Sequence, residues 1–223
     1  MNSDSSGMPI SNLNMKSAIL ALSKGNFVVL YDGDEREGEA DLIIGSGFAT
    51  PSVIEKIRKD AGGLICVAIS KDFASSLSLP FYHELLEKFP SLKSLECKKA
   101  AYGDKPAFSI SINSKKVYTG IPDSDRSLTI TSFDSILNNS DSKKHFLESF
   151  YSPGHVFLLI SSGLEKRKGH TELSVELARQ AGLKSVVLCE MLGSGGALSK
   201  EEARNYAQKN GFIFIEGKDV LVI

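Results

Sequence analysis

A chain of 223 residues with 26 basic and 27 acidic side chains carries a formal charge of −1, and 42% of its residues are apolar. These totals exclude a disordered polymer, a general nucleic-acid binder and a polybasic membrane ligand, each of which leaves a signature in charge or composition. The length suits one large domain or at most two small ones.

The stretch 1–14 is rich in Ser and Asn, without the basic and apolar regions of a secretory signal, and is expected to be a flexible leader to a single folded domain over 15–223. Residues 16–24 read as a short helix with Ala18, Ile19 and Leu22 inward and Gly25 closing it. A buried strand over 27–30 then delivers the chain into an acidic stretch, 31–41, and 42–44 resumes as strand. Thr50 caps and Pro51 opens a helix that runs through Val53, Ile54 and Ile57 to Gly62-Gly63. Residues 64–69 form a third strand, carrying Cys66. The region 71–105 is polar and helical in parts, and 107–113 alternates like a half-buried strand through Phe108, Ile110 and Ile112.

Pro153-Gly154 is expected to make a tight turn that holds His155 at the entrance of an apolar strand, 156–160. Thr171 is expected to cap a helix with Leu173, Leu177, Ala178 and Ala181 on one side, ended by Gly182. A strand follows over 185–191, then a capping box from Ser199 to Glu202 opening a helix that ends at Gly211. Residues 212–223 close as a hairpin around 216–219. The fold class is α/β (α+β), one domain with a mixed sheet flanked by helices, because the Phe108 and terminal segments lack crossover helices. Cys66, Cys97 and Cys189 are odd in number and far apart, so no disulfide framework or cysteine zinc site is expected and a reducing, cytoplasmic setting is. No apolar run approaches the roughly 20 residues that span a bilayer.

Five segments could carry chemistry. Six of the 27 acids fall between Asp32 and Asp41 with Arg36 alone among them. Crowded carboxylates destabilise one another unless a cation or a proton intervenes, and hard divalent cations take oxygen ligands; a solvated acidic loop is the plain alternative. Arg167-Lys168-Gly169-His170-Thr171 places two cations and a His at a helix start, where exposed N–H groups already favour anions such as phosphate. His170 there is a ligand, a base or an ordinary polar contact. His155, an imidazole at the entrance of an apolar strand, suits proton transfer. Glu190, at the end of an apolar strand, must reach solvent or find a partner. Thr119 to Thr129 is rich in hydroxyls and contains Asp125-Arg126; taken alone it is a turn with an Asx motif.

In this order the segments resemble the 3,4-dihydroxy-2-butanone-4-phosphate synthase family of riboflavin biosynthesis. The matching elements are Asp34 to Asp41, Thr119 to Ile130, Pro153-Gly154-His155, Arg167 to Glu172 and Cys189-Glu190. Gly33, Gly38, Ala40 and Pro122 depart from the family pattern, and the family's second, cyclohydrolase domain is not expected. The resemblance implies a lyase that converts D-ribulose 5-phosphate to L-3,4-dihydroxy-2-butanone 4-phosphate and formate through a metal-stabilised enediolate, with Mg²⁺ or Mn²⁺, two ions per site. It assigns Glu37 and His170 to the metal, and His155 and Glu190 to acid/base work. Arg36, Asp41, Arg167, Lys168, Gly169, Thr171 and Glu190 would contact substrate, with Cys66, Thr119, Asp125, Arg126 and Thr129 as further contacts. A homodimer with sites at the subunit interface is implied as well. A metal-dependent ketose-phosphate isomerase or aldolase, and a silent sugar-phosphate-binding protein, are the rival readings.

Overall fold

The computed structural model describes residues 10–95 and 103–221. Seven strands form one mixed sheet in the order β4-β5-β3-β6-β2-β1-β7. They are β1 (Val28–Tyr31), β2 (Ala40–Gly45), β3 (Cys66–Ile69), β4 (Phe108–Ser114), β5 (Phe150–Ile160), β6 (Ser185–Glu190) and β7 (Ile213–Glu216). β1 and β2 pair antiparallel as a hairpin, with Tyr31 opposite Ala40, so the acidic stretch is the hairpin loop. β6 lies antiparallel between β2 and β3, with Asp41 opposite Glu190 and Cys66 opposite Leu188. Only β3–β5 and β1–β7 are parallel.

The central strands are apolar on both sides because helices cover both faces. On one face Val28, Leu30, Ile43, Ala68 and Leu188 pack with Leu22 of α1 (Ile10–Ser23), Leu173 and Leu177 of α7 (His170–Gln180), and Val220 of α9 (Gly217–Val220). On the other, Val29, Leu42, Ile44, Val67 and Val187 pack with Ile54 and Ile57 of α2 (Pro51–Asp60) and with Ile130 and Phe133 of α5 (Asp123–Ile136). Phe146 of α6 (Ser142–Ser149) and Ala203 and Ala207 of α8 (Lys200–Asn210) complete that layer. Strand periodicity then assigns sides: Asp41 shares its side with Ile43, and Glu190 with Leu188. Both therefore face α7.

Several expectations hold in detail. Thr50 accepts from the Val53 N–H with Pro51 at the first position of α2. Ser199 and Glu202 form the capping box of α8, which stops at Gly211. Others need correction. The first helix begins at Ile10 rather than Lys16; residues 1–9 of the expected leader lie outside the described residues, as does Cys97. The polar region carries α3 (Lys71–Ser76), α4 (Tyr82–Glu87) and a 3₁₀ turn, Pro90–Leu95. α5 and α6 were not anticipated, because the Ser/Thr/Asp-rich sequence of α5 gives little apolar periodicity.

Pro153-Gly154 makes no turn. It lies inside β5, where the β4–β5 register shifts between Ile112 and Asn113. A Cβ on Gly154 would collide with the Ile112 backbone, so the glycine serves close strand approach. The terminal segment is not a hairpin: β7 pairs parallel with β1, and the chain then turns into α9. The expectation that the terminal segment lacks a crossover helix also fails, because α8 connects β6 to β7.

Candidate active site

Loop 32–39 is folded around its own first residue. The buried Asp32 carboxylate accepts from the N–H groups of Gly33, Glu37, Gly38 and Glu39 at 2.8–3.2 Å. This satisfies donors a hairpin loop of this length would otherwise leave open. Asp32, Glu37 and His170 bring potential ligand atoms within 4.8 Å of one another. Asp32 is already committed to four backbone donors and to Arg36 (3.5 Å), so it organises the loop and leaves Glu37 and His170 as the pair that could hold a cation.

The geometry around His170 fixes its tautomer. Nε2 lies 3.1 Å from the Glu39 carbonyl, which can only accept, so Nε2 carries a proton. Nδ1 faces Glu37 Oε2 at 3.5 Å. A neutral His170 therefore turns an Nδ1 lone pair towards the Glu37 carboxylate, with a carbonyl behind the ring holding its orientation. Although burial opposes the charge, Asp41 and Glu37 raise the His170 pKa to about 10, so without a metal a second proton occupies Nδ1.

Asp41 is 2% exposed, and its Oδ1 has no hydrogen-bond partner. Burial pushes its carboxyl up to about 7; His170 pulls it down, while Glu190 and Glu37 push it further up. Glu39 is likewise raised, by burial and then by Glu37. Glu190 sits opposite Asp41, its backbone pinned from both sides: its carbonyl accepts from Gly62 N, and Met191 N donates to Ala40 O. Buried Cys66 is on the same side of the sheet, with a thiol raised well above its usual range by burial.

Gly169, not Thr171, is the N-cap of α7, and no side chain caps this terminus. Thr171 lies within the first turn, so its N–H and that of His170 belong to the set that an anion can take. Arg167 is held by Glu172, which is 1% exposed and bridges Arg167 Nη1 (2.8 Å) and Ser162 N (3.0 Å). Glu37, Asp41, Asp104, Arg167, His170, Thr171 and Glu190 line one cavity of about 300 Å³. Arg36 borders it through Asp104, and Lys168 is exposed at its rim side of the helix start.

His155, Thr119, Asp125, Arg126 and Thr129 do not line this cavity. Asn113 links His155 to the neighbouring Gly120. The His155 N–H donates to Asn113 Oδ1 (2.9 Å), which fixes the amide so that Nδ2 faces His155 Nδ1 at 3.0 Å. Nδ1 then accepts, and the proton of a neutral His155 is on Nε2. Gly120 (φ +94°) packs on the same Asn113 so closely that no Cβ fits, and Asp125 accepts from Thr119 N and Gly120 N. Arg126 is paired with Asp123 (3.0 Å), and Thr129 accepts from Ser114 N (3.0 Å). These last two roles are structural. Tyr118, Ile121 and Tyr151 are exposed around this group.

Four residues carry roles that their segments do not announce: Asp32, Asn113, Asp104 and Glu172. Asp32 heads a tight loop, and Glu172 acts on neighbours five and ten residues back, both of them local signals. Asn113 and Asp104 act through partners far away in sequence.

A family model described as 3,4-dihydroxy-2-butanone 4-phosphate synthase matches residues 16–222. The chain is 38% identical over 216 residues to the 3,4-dihydroxy-2-butanone 4-phosphate synthase of Methanothermobacter thermautotrophicus, covering 93% of this chain and 94% of that one. It is 41% identical over 224 residues to that of Methanosarcina mazei, covering 95% and 91%. A solved structure of a 3,4-dihydroxy-2-butanone 4-phosphate synthase in complex with two magnesium ions matches with a TM-score of 0.74 at 28% identity, over 92% of this chain and 93% of that chain.

Proposed function

The chain belongs to the 3,4-dihydroxy-2-butanone 4-phosphate synthase family, a lyase family of riboflavin biosynthesis, and on that premise we propose that it converts D-ribulose 5-phosphate to L-3,4-dihydroxy-2-butanone 4-phosphate and formate. The observation that carries the reading is a single cavity holding the Glu37–His170 pair, the buried Asp41 carboxylate 3.7 Å from His170 and Arg167 at an uncapped helix start.

The donor set fits a divalent cation: a carboxylate, an oriented imidazole nitrogen and adjacent acidic groups. Glu37 and His170 Nδ1 would hold Mg²⁺ or Mn²⁺, two ions per site. When bound, the metal supplies Lewis acidity that stabilises negative charge on the ketose oxygens. Arg167, Thr171 and the N–H groups of the α7 start bind the phosphate, with Gly169 letting the backbone approach and Lys168 adding positive charge. Arg36, Asp41 and Glu190 hold the sugar hydroxyls.

Forming the enediolate requires a base at C1. Asp41, with its acidity tuned near neutrality and an oxygen that accepts no hydrogen bond, and Glu190 opposite it are placed to move protons. Product and formic acid together contain the substrate's atoms. The water expelled during dehydration therefore returns in the step that releases C4, and the same carboxylates and His155 must work in both directions. His155 and Thr119, absent from the cavity of their own chain, would reach the cavity of a second copy. The exposed Tyr118, Ile121 and Tyr151 beside them suit a homodimer contact. The setting is cytoplasmic; no described helix is long and apolar enough to cross a membrane.

Incubation with ribulose 5-phosphate and Mg²⁺ should release formate, and chelation should stop it. No formate from folded, metal-replete protein would overturn the reading, and sugar-phosphate turnover without formate would favour an isomerase or aldolase. Metal binding also has a pH signature. The proton that Glu37 and Asp41 hold on His170 must leave before Nδ1 can coordinate, so at pH 7 about one proton should be released per Mn²⁺ bound. Affinity should rise with pH up to the raised pKa of His170. Calorimetry in buffers of different ionisation enthalpy reads this directly, and proton-independent binding would rule out His170 as a ligand.

A further inference from the structure

Two cations of the cavity share one acidic partner that no motif supplies. A single oxygen of Asp104, Oδ2, lies 3.1 Å from Arg36 Nη1 and 3.5 Å from Arg167 Nε. All three side chains are largely withdrawn from solvent, at 23%, 18% and 13% exposure. Asp104 lines the same cavity as Glu37, His170 and Thr171. Its carboxylate thus sits where Arg167 faces the helix start, the region to which the phosphate of a sugar phosphate was assigned above. Asp104 and Arg167 also line a second cavity, with His83, Glu84, Lys105 and Lys166. The two residues are thus common to both cavities.

We infer that Asp104 is a placeholder for the substrate phosphate and sets the selectivity of the site: its carboxylate neutralises Arg36 and Arg167 in the free protein and must be displaced by an incoming dianion. The physical basis is competition. A carboxylate and a phosphate oxygen make the same charge-assisted contacts to guanidinium, and a dianion able to reach both arginines and the N–H groups of α7 outbids one carboxylate oxygen. A neutral sugar cannot. Each guanidinium keeps a second carboxylate, Arg36 beside Asp32 at 3.5 Å and Arg167 beside Glu172 at 2.8 Å, so displacing Asp104 leaves neither without a counter-charge. The inference rests on the phosphate assignment under Proposed function, and its sign separates it from a structural role. Loss of a merely structural ion pair loosens the site, whereas loss of a competitor tightens it.

Titration of the Mg²⁺-loaded protein with inorganic phosphate tests this. Asp104→Asn keeps size and removes charge; it should bind phosphate about fivefold or more tightly than the wild type, the equivalent of one ion pair no longer opposing it. Arg167→Ala should weaken binding in either background. Unchanged or weaker phosphate binding by Asp104→Asn, or no measurable binding in either protein, overturns the placeholder role. The formate assay on the wild type is scored separately: formate release with unaltered phosphate affinity in Asp104→Asn sinks the placeholder alone, and absence of formate sinks the functional reading whatever phosphate does.

Discussion

Glu37→Gln should lower kcat/KM for ribulose 5-phosphate by about a thousandfold or more at saturating Mg²⁺, with a melting temperature close to that of the wild type. Gln has the shape of Glu and an acceptor oxygen, so cavity volume is conserved. What disappears is the negative charge opposite His170 Nδ1, 3.5 Å away. Loop 32–39 does not depend on that charge, because its backbone donors converge on Asp32. Glu37 contributes its own N–H to the cradle, and the substitution leaves that intact. Fold and function should therefore separate cleanly at this residue. His170→Ala should give the same loss, since no ring nitrogen would then face Glu37. A Glu37→Gln protein that keeps more than about a tenth of wild-type activity would rule out the ligand assignment, because a single charged ligand is worth far more than one factor of ten. A parallel loss of melting temperature would instead make Glu37 a structural residue.

The contrast between Glu37 and Asp32 shows what a sequence exposes and what it conceals. Both belong to one dense run of acids, and the run itself is plain in the sequence. Which acid organises the loop depends on whether β1 and β2 are hairpin partners. That is a matter of strand order, which local patterning does not encode. Strand side is more legible: the two-residue period, with Ile43 and Leu188 as markers of the buried face, places Asp41 and Glu190 together once the pairing is known. Helix caps with a side-chain oxygen, such as Thr50 and Ser199, are local interactions and were readable directly. The α7 start differs from the expectation by two residues, because Thr171 looks like a cap while the chain uses Gly169 and has no side-chain cap there. Asp104 and Asn113 were invisible for another reason. Their partners, Arg36 and His155, lie 68 and 42 residues away, and no spacing rule links them.

The separation of His155 from the cavity leads to the second large effect. His155→Ala and Glu190→Gln should each be nearly inactive alone, yet a mixture allowed to exchange subunits should recover about a quarter of wild-type activity. If each site takes its cavity from one chain and its His155 from the other, either homodimer has two damaged sites. A heterodimer concentrates both lesions in one site and leaves the other whole. Half of the dimers in a random equal mixture are mixed, and half of their sites are intact. The fold makes this division plausible: β5 carries His155 two strands from β6, which ends in Glu190, and Asn113 draws His155 towards Thr119 and Gly120 rather than towards Asp41. Single-chain motion could bring His155 to its own cavity only by breaking both Asn113 hydrogen bonds while β5 stays paired with β3 and β4. Under that alternative every chain of the mixture carries one lesion in its own site, and activity stays at the mean of the two parents. Recovery well above that mean assigns His155 to the partner's cavity, and its absence in a mixture shown to contain heterodimers returns His155 to its own chain.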